Sequence, residues 1–547
     1  MPLIAVAAAA FAAGLLLANS TGQAERKLVT DYVRAWAHDD YARMYALLDA
    51  RSRGALSETQ FANRYAADAR TATLTSVRAI RVGSPRNDLV AVSMIAHTRL
   101  FGALRETLLV PYVSTSSGPD VRYAGTLLFP GLRPGERLRR IAALAPRGTL
   151  EASDGTPLAQ GPQRTSPIPT VASEIAGVLG PIPPGEAATY EAQGYPPNAK
   201  VGRDGLERVF ERELAGTPGA TLLAGRRVLA KAAAIPGKTV KTTIDPAIEA
   251  ATMSALGGRF GGVVAMDPRT GALLGLAGLA FSALQPPGST MKIITSTAAL
   301  QAGIVKLGDV FPYASSSTIE GYTLQNANGE NCGGTFLNAF AVSCNSVFAP
   351  LGAKLGAARL VAMAKRFGFD QPQTIPGAAE SQIPSASTIG DALAVGSSAI
   401  GQGRVQASAL AMTDVAATIA MGGQRPIPTL LYGQTPQFVP VTSSHIAALV
   451  ERMMVAVVSF GTGTAAAIPG VQVAGKTGTA ELANTATTNP NNSGANSASE
   501  TDAWFVGYAP VGHPRIVAGA LFPNQGAGGA TAAPAVRQVL VAGLHAR

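Results

Sequence analysis

The sequence predicts a multidomain α+β protein, and three observations support this fold class. The chain has 547 residues, more than one hydrophobic core holds, and a prior of roughly 150 residues per unit gives three or four units. Hydrophobic residues make up 47% of the chain and charged residues 14%, which is typical of globular proteins. Segments with helical periodicity are followed by runs rich in β-branched residues, the order expected of α+β domains.

The N-terminus carries an uncharged apolar run at residues 3–18. A membrane-spanning helix needs about 20 such residues and the core of a signal peptide about 7–15, so this run falls between the two. No positive residue precedes it, and the sequence ANS at 18–20 could be a cleavage site. We expect residues 1–23 to act as a signal or anchor segment. The bulk of the chain would then lie outside the cytoplasm on the cell membrane, or would be secreted if the segment is cleaved.

Residues 24–145 are predicted to form a small N-terminal α+β domain. Leu28, Tyr32 and Trp36 recur at helical spacing, and a second helical pattern ends near Leu48, so two helices are expected. Three strand-like runs follow at 71–82, 88–98 and 106–113. The aromatic residues of the helical segment are interpreted as core residues, because no catalytic cluster accompanies them.

A region rich in proline and glycine, residues 146–240, separates this domain from the rest of the chain, 241–547. Residues 205–219 predict one short amphipathic helix closed by a Gly/Pro turn, and 237–245 predict a strand. Residues 259–278 predict a β-hairpin with the turn PRTG. The polar segment 482–501 is interpreted as a mobile loop.

The stretch PPGSTMKIIT at 286–295 places a lysine inside an apolar helical pattern. The PPG sequence blocks helix formation, so a helix can begin at or near Ser289, whose oxygen then lies at the positive end of the helix dipole. Lys292 follows three residues later and projects on the same face. Burial or a neighbouring cation would lower the pKa of Lys292 and make it a base toward Ser289.

Two further motifs follow in the chain, Ser343-Cys-Asn345 and Lys476-Thr-Gly-Thr479. Ser343 can relay a proton between Lys292 and an amine, and Asn345 can hold a substrate amide. Lys476 supplies the second cation that would depress the pKa of Lys292. The three motifs in this order resemble the set shared by penicillin-binding proteins and class A β-lactamases.

The segment around Lys476 reads as a strand, with glycines at 475 and 478 that would let a peptide lie close to it. We predict that Thr477, Gly478 and Thr479 bind substrate, with the threonine hydroxyls directed to a carboxylate. The backbone N–H groups of Ser289 and Thr479 are predicted to form an oxyanion hole.

From about residue 147 onward the chain resembles a class B penicillin-binding protein, a monofunctional peptidoglycan transpeptidase. Besides the three motifs, the resemblance includes RGTLEASDG at 147–155, the helix GLERVFERELAGTPG, TTIDPAIEAAT, the Gly401-Gln402-Gly403 segment and DAWFVGYAP at 502–510. It implies a C-terminal serine transpeptidase/β-lactamase-like domain, an antiparallel sheet flanked by helices, at 241–547. It also implies an extended pedestal domain of the dimerisation type at 146–240 and a cone-like domain at 24–145. RGTLEASDG lacks the Asp-Arg pair usual in the family.

The resemblance implies D,D-transpeptidation. Ser289 would attack the penultimate D-Ala carbonyl of a stem peptide, the terminal D-Ala would leave, and an amine of a neighbouring stem would resolve the acyl-enzyme into a cross-link. β-Lactam antibiotics would trap Ser289. No metal or organic cofactor is implied. Possible partners are the membrane, through the N-terminal segment, and a protein that polymerises glycan for cell division or cell elongation.

Other functions remain as alternatives. A D,D-carboxypeptidase or a β-lactamase of the same fold is possible, although the nearest candidate for a deacylating glutamate, Glu380, is followed by Pro384 where that family has asparagine. A non-catalytic β-lactam sensor or scaffold is the third alternative. Cys332 and Cys344 either form a disulfide or remain buried thiols.

Several function classes are disfavoured by composition. The net charge is +10, but no basic cluster is interleaved with aromatic residues, so no nucleic acid is expected as a partner. The five histidines are scattered and no metal-binding spacing occurs. A Ser-His-Asp hydrolase is disfavoured because no G-x-S-x-G elbow precedes a suitably placed histidine.

Overall fold

The computed structural model of the chain describes residues 22–481 and 501–546. The apolar run at 3–18 and nearly all of the polar segment 482–501 lie outside the described residues, so the predictions made for them stay predictions. Within the described ranges, no single helix has both the length and the hydropathy of a membrane span. The helices Asn345–Leu355 and Ala357–Arg366 pass this test only as a pair, and a bend of 100° separates them.

The α-helices are α1 (Gln23–Ala37), α2 (Tyr41–Ala46), α3 (Ala50–Ala55), α4 (Glu58–Ala72), α5 (Pro169–Ile175), α6 (Ala187–Ala192), α7 (Gly205–Val209), α8 (Glu211–Ala215), α9 (Pro246–Leu256), α10 (Lys292–Gln301), α11 (Phe336–Ala341), α12 (Asn345–Leu355), α13 (Ala357–Arg366), α14 (Ala392–Ala399), α15 (Ala409–Ala420), α16 (Ser444–Ser459) and α17 (Gly528–His545).

The strands are β1 (Leu74–Val82), β2 (Leu89–Thr98), β3 (Gly102–Thr115), β4 (Gly118–Val121), β5 (Leu138–Ala143), β6 (Leu150–Glu151), β7 (Pro157–Ala159), β8 (Leu179–Pro181), β9 (Lys200–Gly202), β10 (Gly219–Ala224), β11 (Arg227–Ala232), β12 (Val240–Lys241), β13 (Gly262–Asp267), β14 (Ala272–Gly278), β15 (Val310–Ala314), β16 (Ser316–Ile319), β17 (Tyr322–Gln325), β18 (Cys332–Thr335), β19 (Gln424–Pro426), β20 (Phe438–Pro440), β21 (Ala474–Glu481), β22 (Thr501–Ala509) and β23 (Ile516–Phe522).

The described chain divides into two compact units. The N-terminal unit contains residues 22–148, 179–203 and 211–238, and the C-terminal unit contains 149–178, 204–210 and the chain from 239 onward. The segment 146–240, expected as one pedestal domain, is therefore shared between the units. Strand pairing explains the division, because β10 pairs with β5 in one unit whereas β6 pairs with β12 in the other.

The N-terminal unit combines helices α1–α4 with the antiparallel sheet β1-β2-β3-β4. Two helices were predicted before β1, and the structure has four. Capping residues explain the extra two: the Asp49 side chain accepts the Ser52 N–H at the start of α3, and Ser57 forms a capping box with Gln60 at the start of α4. The three predicted strand runs correspond to β1, β2 and β3.

Aromatic side chains form the centre of the N-terminal unit, as predicted. The hydroxyls of Tyr32 and Tyr65 are 2.7 Å apart and buried. The Trp36 ring meets the Tyr65 ring edge to face at a centroid distance of 5.2 Å. Because each buried hydroxyl has a hydrogen-bond partner, these tyrosines can be buried without an unsatisfied polar group.

The C-terminal unit is built on a five-stranded antiparallel sheet in the order β14-β13-β23-β22-β21. The predicted hairpin is confirmed as β13 and β14. Strands β22 and β23 are buried at every position, and both α15 and α17 pack on them. Among the described residues, strand β21 pairs as a strand only with β22 and forms one edge of the sheet, so a row of its backbone groups lacks a strand partner there.

Two local predictions are confirmed only in part. Residues 205–219 form two short helices, α7 and α8, because the chain leaves the C-terminal unit after residue 210 and enters the N-terminal unit. Residues 237–245 form a strand only over the two residues of β12. The backbone beyond it changes partner: the Thr242 N–H donates to Glu151, whereas the Thr243 N–H donates to Leu430.

Candidate active site

Ser289 lies in a tight turn that leads into a buried helix. Residues Gly288–Met291 form a 3₁₀ turn after Pro287, and α10 continues from it. Side chains three residues apart are eclipsed in a 3₁₀ helix, so Ser289 and Lys292 project together. The predicted helix start is confirmed, with the difference that Ser289 itself has 3₁₀ geometry.

Lys292 is completely buried, and its amine is surrounded by oxygen atoms. Its Nζ lies 3.0 Å from the Ser289 Oγ and 3.1 Å from the Ser343 Oγ. It lies 2.7 Å from the Ser343 carbonyl oxygen and 2.7 Å from the Asn345 Oδ1. The structure thus brings the residues of the first two motifs within hydrogen-bond distance of one amine.

Ser343 connects the two lysines. Its Oγ lies 2.9 Å from the Lys476 Nζ as well as near Lys292. Its φ of 63° is in the left-handed region, which a residue with a side chain occupies only when its surroundings hold it there. The next residue, Cys344, is disulfide-bonded to Cys332, so the structure selects the disulfide over free thiols. A covalent bond beside this strained residue restricts its position.

Burial and charge lower the pKa values of both lysines. The pKa of Lys292 is held well below its usual range, first by burial and second by the charge of Lys476. Burial lowers the pKa of Lys476 to about 7. Both shifts follow from the cost of placing an ammonium group where water is excluded. At neutral pH, Lys292 is therefore able to accept a proton.

Asn345 orients the amine of Lys292. Its Nδ2 donates to the Gln325 carbonyl oxygen at 3.0 Å, which turns Oδ1 toward Lys292. Within the described ranges, Gln325 is the one protein acceptor of the Asn345 side-chain amide, and Asn345 lines the cleft described below. Its predicted contact with a substrate amide stays a prediction that this geometry permits.

The glycines of β21 serve a different purpose from the predicted one. A Cβ on Gly478 would lie 2.8 Å from the Pro287 carbonyl oxygen, and one on Gly475 would lie 2.4 Å from the Phe505 ring. The missing side chains make room for protein atoms, not for a bound peptide, so the predicted reason was wrong. Gly478 is also absent from the described residues that line the cleft, and a backbone contact with substrate stays a prediction for it.

Thr477 and Thr479 both line the cleft beside Ser289. The hydroxyl of Thr477 is 2.5 Å from that of Thr462, and the Oγ1 of Thr479 accepts from the Gly528 N–H at 3.4 Å. Their position on the edge strand next to the Ser289 turn fits the predicted oxyanion hole, which remains a prediction.

The cleft over Ser289 has a volume of about 430 Å³. Hydroxyl and amide groups of the lining include those of Ser289, Ser343, Asn345, Gln402, Thr462, Thr464, Thr477 and Thr479. Thr462 and Thr464 were missed by the sequence analysis, because they lie in a short GTGT segment whose residue types are common in loops. Glu330 also lines the cleft and was missed.

Gly401, the first residue of the Gly-Gln-Gly segment, contacts the backbone of the turn that carries Ser289. Its carbonyl oxygen accepts from the Gly288 N–H at 3.0 Å, and its φ is +77°. A Cβ on Gly401 would lie 2.0 Å from the Gly288 carbonyl oxygen. This close backbone contact explains why glycine stands there, and the next residue, Gln402, lines the cleft.

The described part of the chain contains no group of three or more histidine, cysteine, aspartate or glutamate residues able to hold a metal ion. The groups that approach Ser289 are amines, hydroxyls and amides. This set suits proton transfer and acyl transfer to a serine oxygen.

Comparison with protein families agrees with this geometry. Residues 261–541, about half of the chain, match the penicillin binding protein transpeptidase domain. The chain belongs to this family. Residues 149–242 match the penicillin-binding protein dimerisation domain, in the region expected for the pedestal. Both matches begin after residue 148, so the cone-like character of residues 24–145 stays a prediction.

Curated relatives include two mycobacterial proteins named peptidoglycan D,D-transpeptidase PbpA. The protein from Mycobacterium tuberculosis is 33% identical over 374 residues, which cover 56% of this chain and 73% of the relative. The protein from Mycolicibacterium smegmatis is 32% identical over 376 residues, with the same shares of the two chains.

Solved structures of the same family superpose on the chain. Penicillin-binding protein A from M. tuberculosis, as an imipenem acyl-enzyme complex, has a TM-score of 0.58 at 27% identity and covers 73% of this chain and 99% of its own. Penicillin-binding protein 2 of Pseudomonas aeruginosa, in complex with WCK 5153, has a TM-score of 0.62 at 25% identity and covers 75% and 97%. The transpeptidase fold and the resemblance to class B penicillin-binding proteins are confirmed.

Proposed function

We propose that this protein is a peptidoglycan D,D-transpeptidase that cross-links stem peptides through an acyl-enzyme on Ser289. The observation that carries the proposal is the 3.0 Å contact between the buried Lys292 amine and the Ser289 oxygen. Its support from relatives is the name D,D-transpeptidase and the acyl-enzyme complexes formed with imipenem and penicillin G.

The contacts of Lys292 determine where its lone pair points. A neutral amine has two N–H groups and one lone pair. The Ser343 carbonyl oxygen and the Asn345 Oδ1 can only accept, so they take the two N–H groups. The lone pair is left for a hydroxyl, and the Ser289 O–H can donate to it. Lys292 is thus arranged as the general base for Ser289.

In the acylation step, the Ser289 Oγ bonds to the carbonyl carbon of the penultimate D-Ala while its proton passes to Lys292. Collapse of the tetrahedral intermediate breaks the C–N bond to the terminal D-Ala. The proton returns through the Ser343 hydroxyl to the departing amine. Ser343 is placed for this relay because its oxygen lies within 3.1 Å of Lys292 and 2.9 Å of Lys476.

The backbone N–H groups of Ser289 and Thr479 would stabilise the oxyanion of this intermediate. The donor peptide would run along the free edge of β21, as extended peptides do when they add to a sheet. The hydroxyls of Thr477 and Thr479 would receive the donor carboxylate, since both line the cleft beside Ser289.

Deacylation distinguishes a transpeptidase from hydrolases of the same fold. An acceptor amine attacks the ester carbonyl and passes one proton to Lys292. As the ester C–O bond breaks, Lys292 gives that proton to the Ser289 oxygen and the new amide is released. A class A β-lactamase would need a carboxylate to activate water. Glu380, the candidate from sequence, is exposed and is not among the described residues that line the cleft, which argues against that alternative. D,D-carboxypeptidase activity differs only in using water as the acceptor.

We further propose that the apolar run at 3–18 anchors the protein in the cell membrane, with the bulk of the chain on the outer side, where peptidoglycan is found. If the segment is cleaved, the protein is secreted. A membrane-bound protein that polymerises glycan would be a suitable partner, because cross-linking needs strands that have just been made.

Labelling with a fluorescent penicillin tests the proposal. We expect one slowly decaying covalent adduct on Ser289, absent from Ser289→Ala. Ser296→Ala is the matched control: this serine lies buried on α10 with no hydrogen-bond partner in the described part of the chain, so its loss should leave labelling intact. Rapid turnover would instead indicate a β-lactamase, and a folded protein without an adduct would indicate a scaffold.

A peptide ending in D-Ala-D-Ala, offered with and without an amine acceptor, then separates the remaining alternatives. A transpeptidase forms an amide product in the presence of the amine. Release of D-Ala with hydrolysis alone would show a carboxypeptidase.

A further inference from the structure

Glu330 is the only ionisable residue among the eighteen described residues that line the cleft. The two catalytic-site lysines are buried behind this lining, with none of their side-chain surface exposed. Glu330 is exposed and forms no ion pair with any residue in the described ranges 22–481 and 501–546. The only formal charge that the described residues bring to this lining is therefore that of Glu330.

The segment that carries Glu330 is held in place by Asn326, whose side chain is buried. The Nδ2 of Asn326 donates to the Glu330 carbonyl oxygen and to the Ala314 carbonyl oxygen, each at 2.8 Å. Its Oδ1 accepts from the Ser346 N–H at 2.8 Å. Ser346 directly follows Asn345, so these bonds attach the Glu330 segment to the catalytic motif.

The disulfide attaches the same segment a second time. Cys332, two residues after Glu330, is bonded to Cys344, which lies between Ser343 and Asn345. The backbone of the Glu330 segment is thus joined to the segment of the second motif by two independent connections.

The proposed reaction uses two substrates of opposite charge. The donor stem ends in a carboxylate, which a neighbouring carboxylate repels. The acceptor stem presents a primary amine, which is an ammonium ion at neutral pH. The threonine hydroxyls that suit the donor lie on β21 and in the segment after α16, whereas Glu330 lies on a different segment, before β18.

We propose that the Glu330 carboxylate binds the ammonium group of the acceptor stem peptide and thereby favours aminolysis of the acyl-enzyme over hydrolysis. This inference rests on the proposed transpeptidase function and assigns the site for its second substrate. The acceptor class is a diamino acid side chain that ends in a primary amine.

Glu330 acts on binding and not on the chemical step. The bound ammonium gives one proton to water, and the resulting amine attacks the ester carbon of acylated Ser289. The second proton passes through Ser343 and Lys292 to the Ser289 oxygen as the C–O bond breaks. The products are one amide, one serine hydroxyl and one released proton.

The test measures aminolysis and hydrolysis of the same acyl-enzyme over a range of acceptor concentrations. The donor is a peptide ending in D-Ala-D-Ala, and the acceptor is a peptide with a free side-chain amine. In Glu330→Gln we expect the acceptor KM to rise about fivefold at unchanged kcat for transfer, the upper range for an exposed ion pair. The ratio of aminolysis to hydrolysis falls by the same factor at low acceptor concentration.

Two variants control for loss of structure. Glu380→Gln makes the same chemical change at an exposed glutamate outside the cleft lining and should leave the ratio unchanged. In the double variant Glu330→Gln/Asn328→Asp, a carboxylate returns to the same segment, and part of the ratio should recover. Asn328 has a φ of 54°, a conformation that aspartate tolerates.

An unchanged acceptor KM in folded Glu330→Gln would overturn the proposal. If that variant does not fold, the wild-type protein still gives an answer: the acceptor KM should rise with ionic strength while hydrolysis stays constant, and a KM independent of salt would overturn it. Failure of the wild-type protein to form an acyl-enzyme or any amide would instead refute the transpeptidase function itself.

Discussion

At the scale of single residues, burial makes Lys292 a base. An exposed lysine would be protonated at neutral pH and could not accept the Ser289 proton. Complete burial, together with the charge of Lys476, keeps the pKa of Lys292 well below its usual range. Four oxygen atoms within 3.1 Å of its Nζ make this burial tolerable, because no N–H group is left without an acceptor.

The two lysines predict a bell-shaped pH dependence of acylation. The rate should rise with pH as Lys292 loses its proton, and fall above about pH 7 as Lys476, with a pKa of about 7, loses its charge. In Lys476→Gln the alkaline decline should disappear. The acidic limb should move to higher pH, because removal of the cation raises the pKa of Lys292.

The second-order rate constant of acylation by a fluorescent penicillin, measured between about pH 5 and 9, checks this prediction. Both limbs are macroscopic properties of the coupled pair. If Lys476→Gln retains the wild-type profile at a uniformly lower rate, Lys476 contributes to substrate binding only and not to the titration of Lys292.

At the scale of elements, three segments of the C-terminal unit meet with their backbones in close contact. The 3₁₀ turn at Gly288–Met291 lies between β21 and the Gly401 segment. A Cβ on Gly288 would lie 3.0 Å from Thr479 backbone atoms, and one on Gly401 would lie 2.0 Å from the Gly288 oxygen. Close packing of backbones positions the nucleophile without using its side chain.

This packing predicts different outcomes for two neighbouring glycines. Both Gly401 and Gly403 have positive φ values, so replacement by alanine strains the backbone at either position. Only at Gly401 would the new Cβ collide with another segment, since nothing lies within 4 Å of a Cβ at Gly403. Gly401→Ala should therefore be less stable than Gly403→Ala by about 1–3 kcal/mol, and it should acylate more slowly.

Thermal denaturation and penicillin labelling of the two variants provide the comparison. Equal stability and equal labelling would show that the segment moves aside without effect on the serine turn.

At the scale of the whole molecule, each compact unit is assembled from segments that are not consecutive in the sequence. The segment 146–240 was expected as one domain, and the family comparison matches 149–242, but its residues belong to both compact units. All residues of the candidate active site lie in the C-terminal unit. The candidate active site therefore draws its groups from this unit alone, whereas the proposed membrane location rests on the apolar run at 3–18.

Deletion of residues 1–21 should consequently remove the protein from the membrane without reducing its acylation by penicillin. We expect the full chain in the membrane fraction, extracted by detergent and not by high salt, and the shortened chain in the supernatant with normal penicillin labelling. The salt wash is needed because a net charge of +10 could hold the protein to anionic lipids electrostatically. Retention of the shortened chain after this wash would contradict the anchor proposal.

Prediction from sequence succeeded where the signal was local. The hairpin at 259–278, the turn before Ser289 and the strand at Lys476 are encoded by neighbouring residues, and the structure contains all three. The helices α3 and α4 were not predicted, although their capping residues Asp49 and Ser57 are present in the sequence. The GTGT segment with Thr462 carries no local signal of function.

The sequence by itself determined the nucleophile, its lysine partner and the motifs that complete the site, since their spacing and order are properties of the chain. Only the tertiary structure decided that Ser343 lies between two lysine amines, that Gly478 makes room for Pro287, and that Glu330 lines the cleft. The physical reason is that these relations depend on close packing between segments far apart in sequence, which no local pattern specifies.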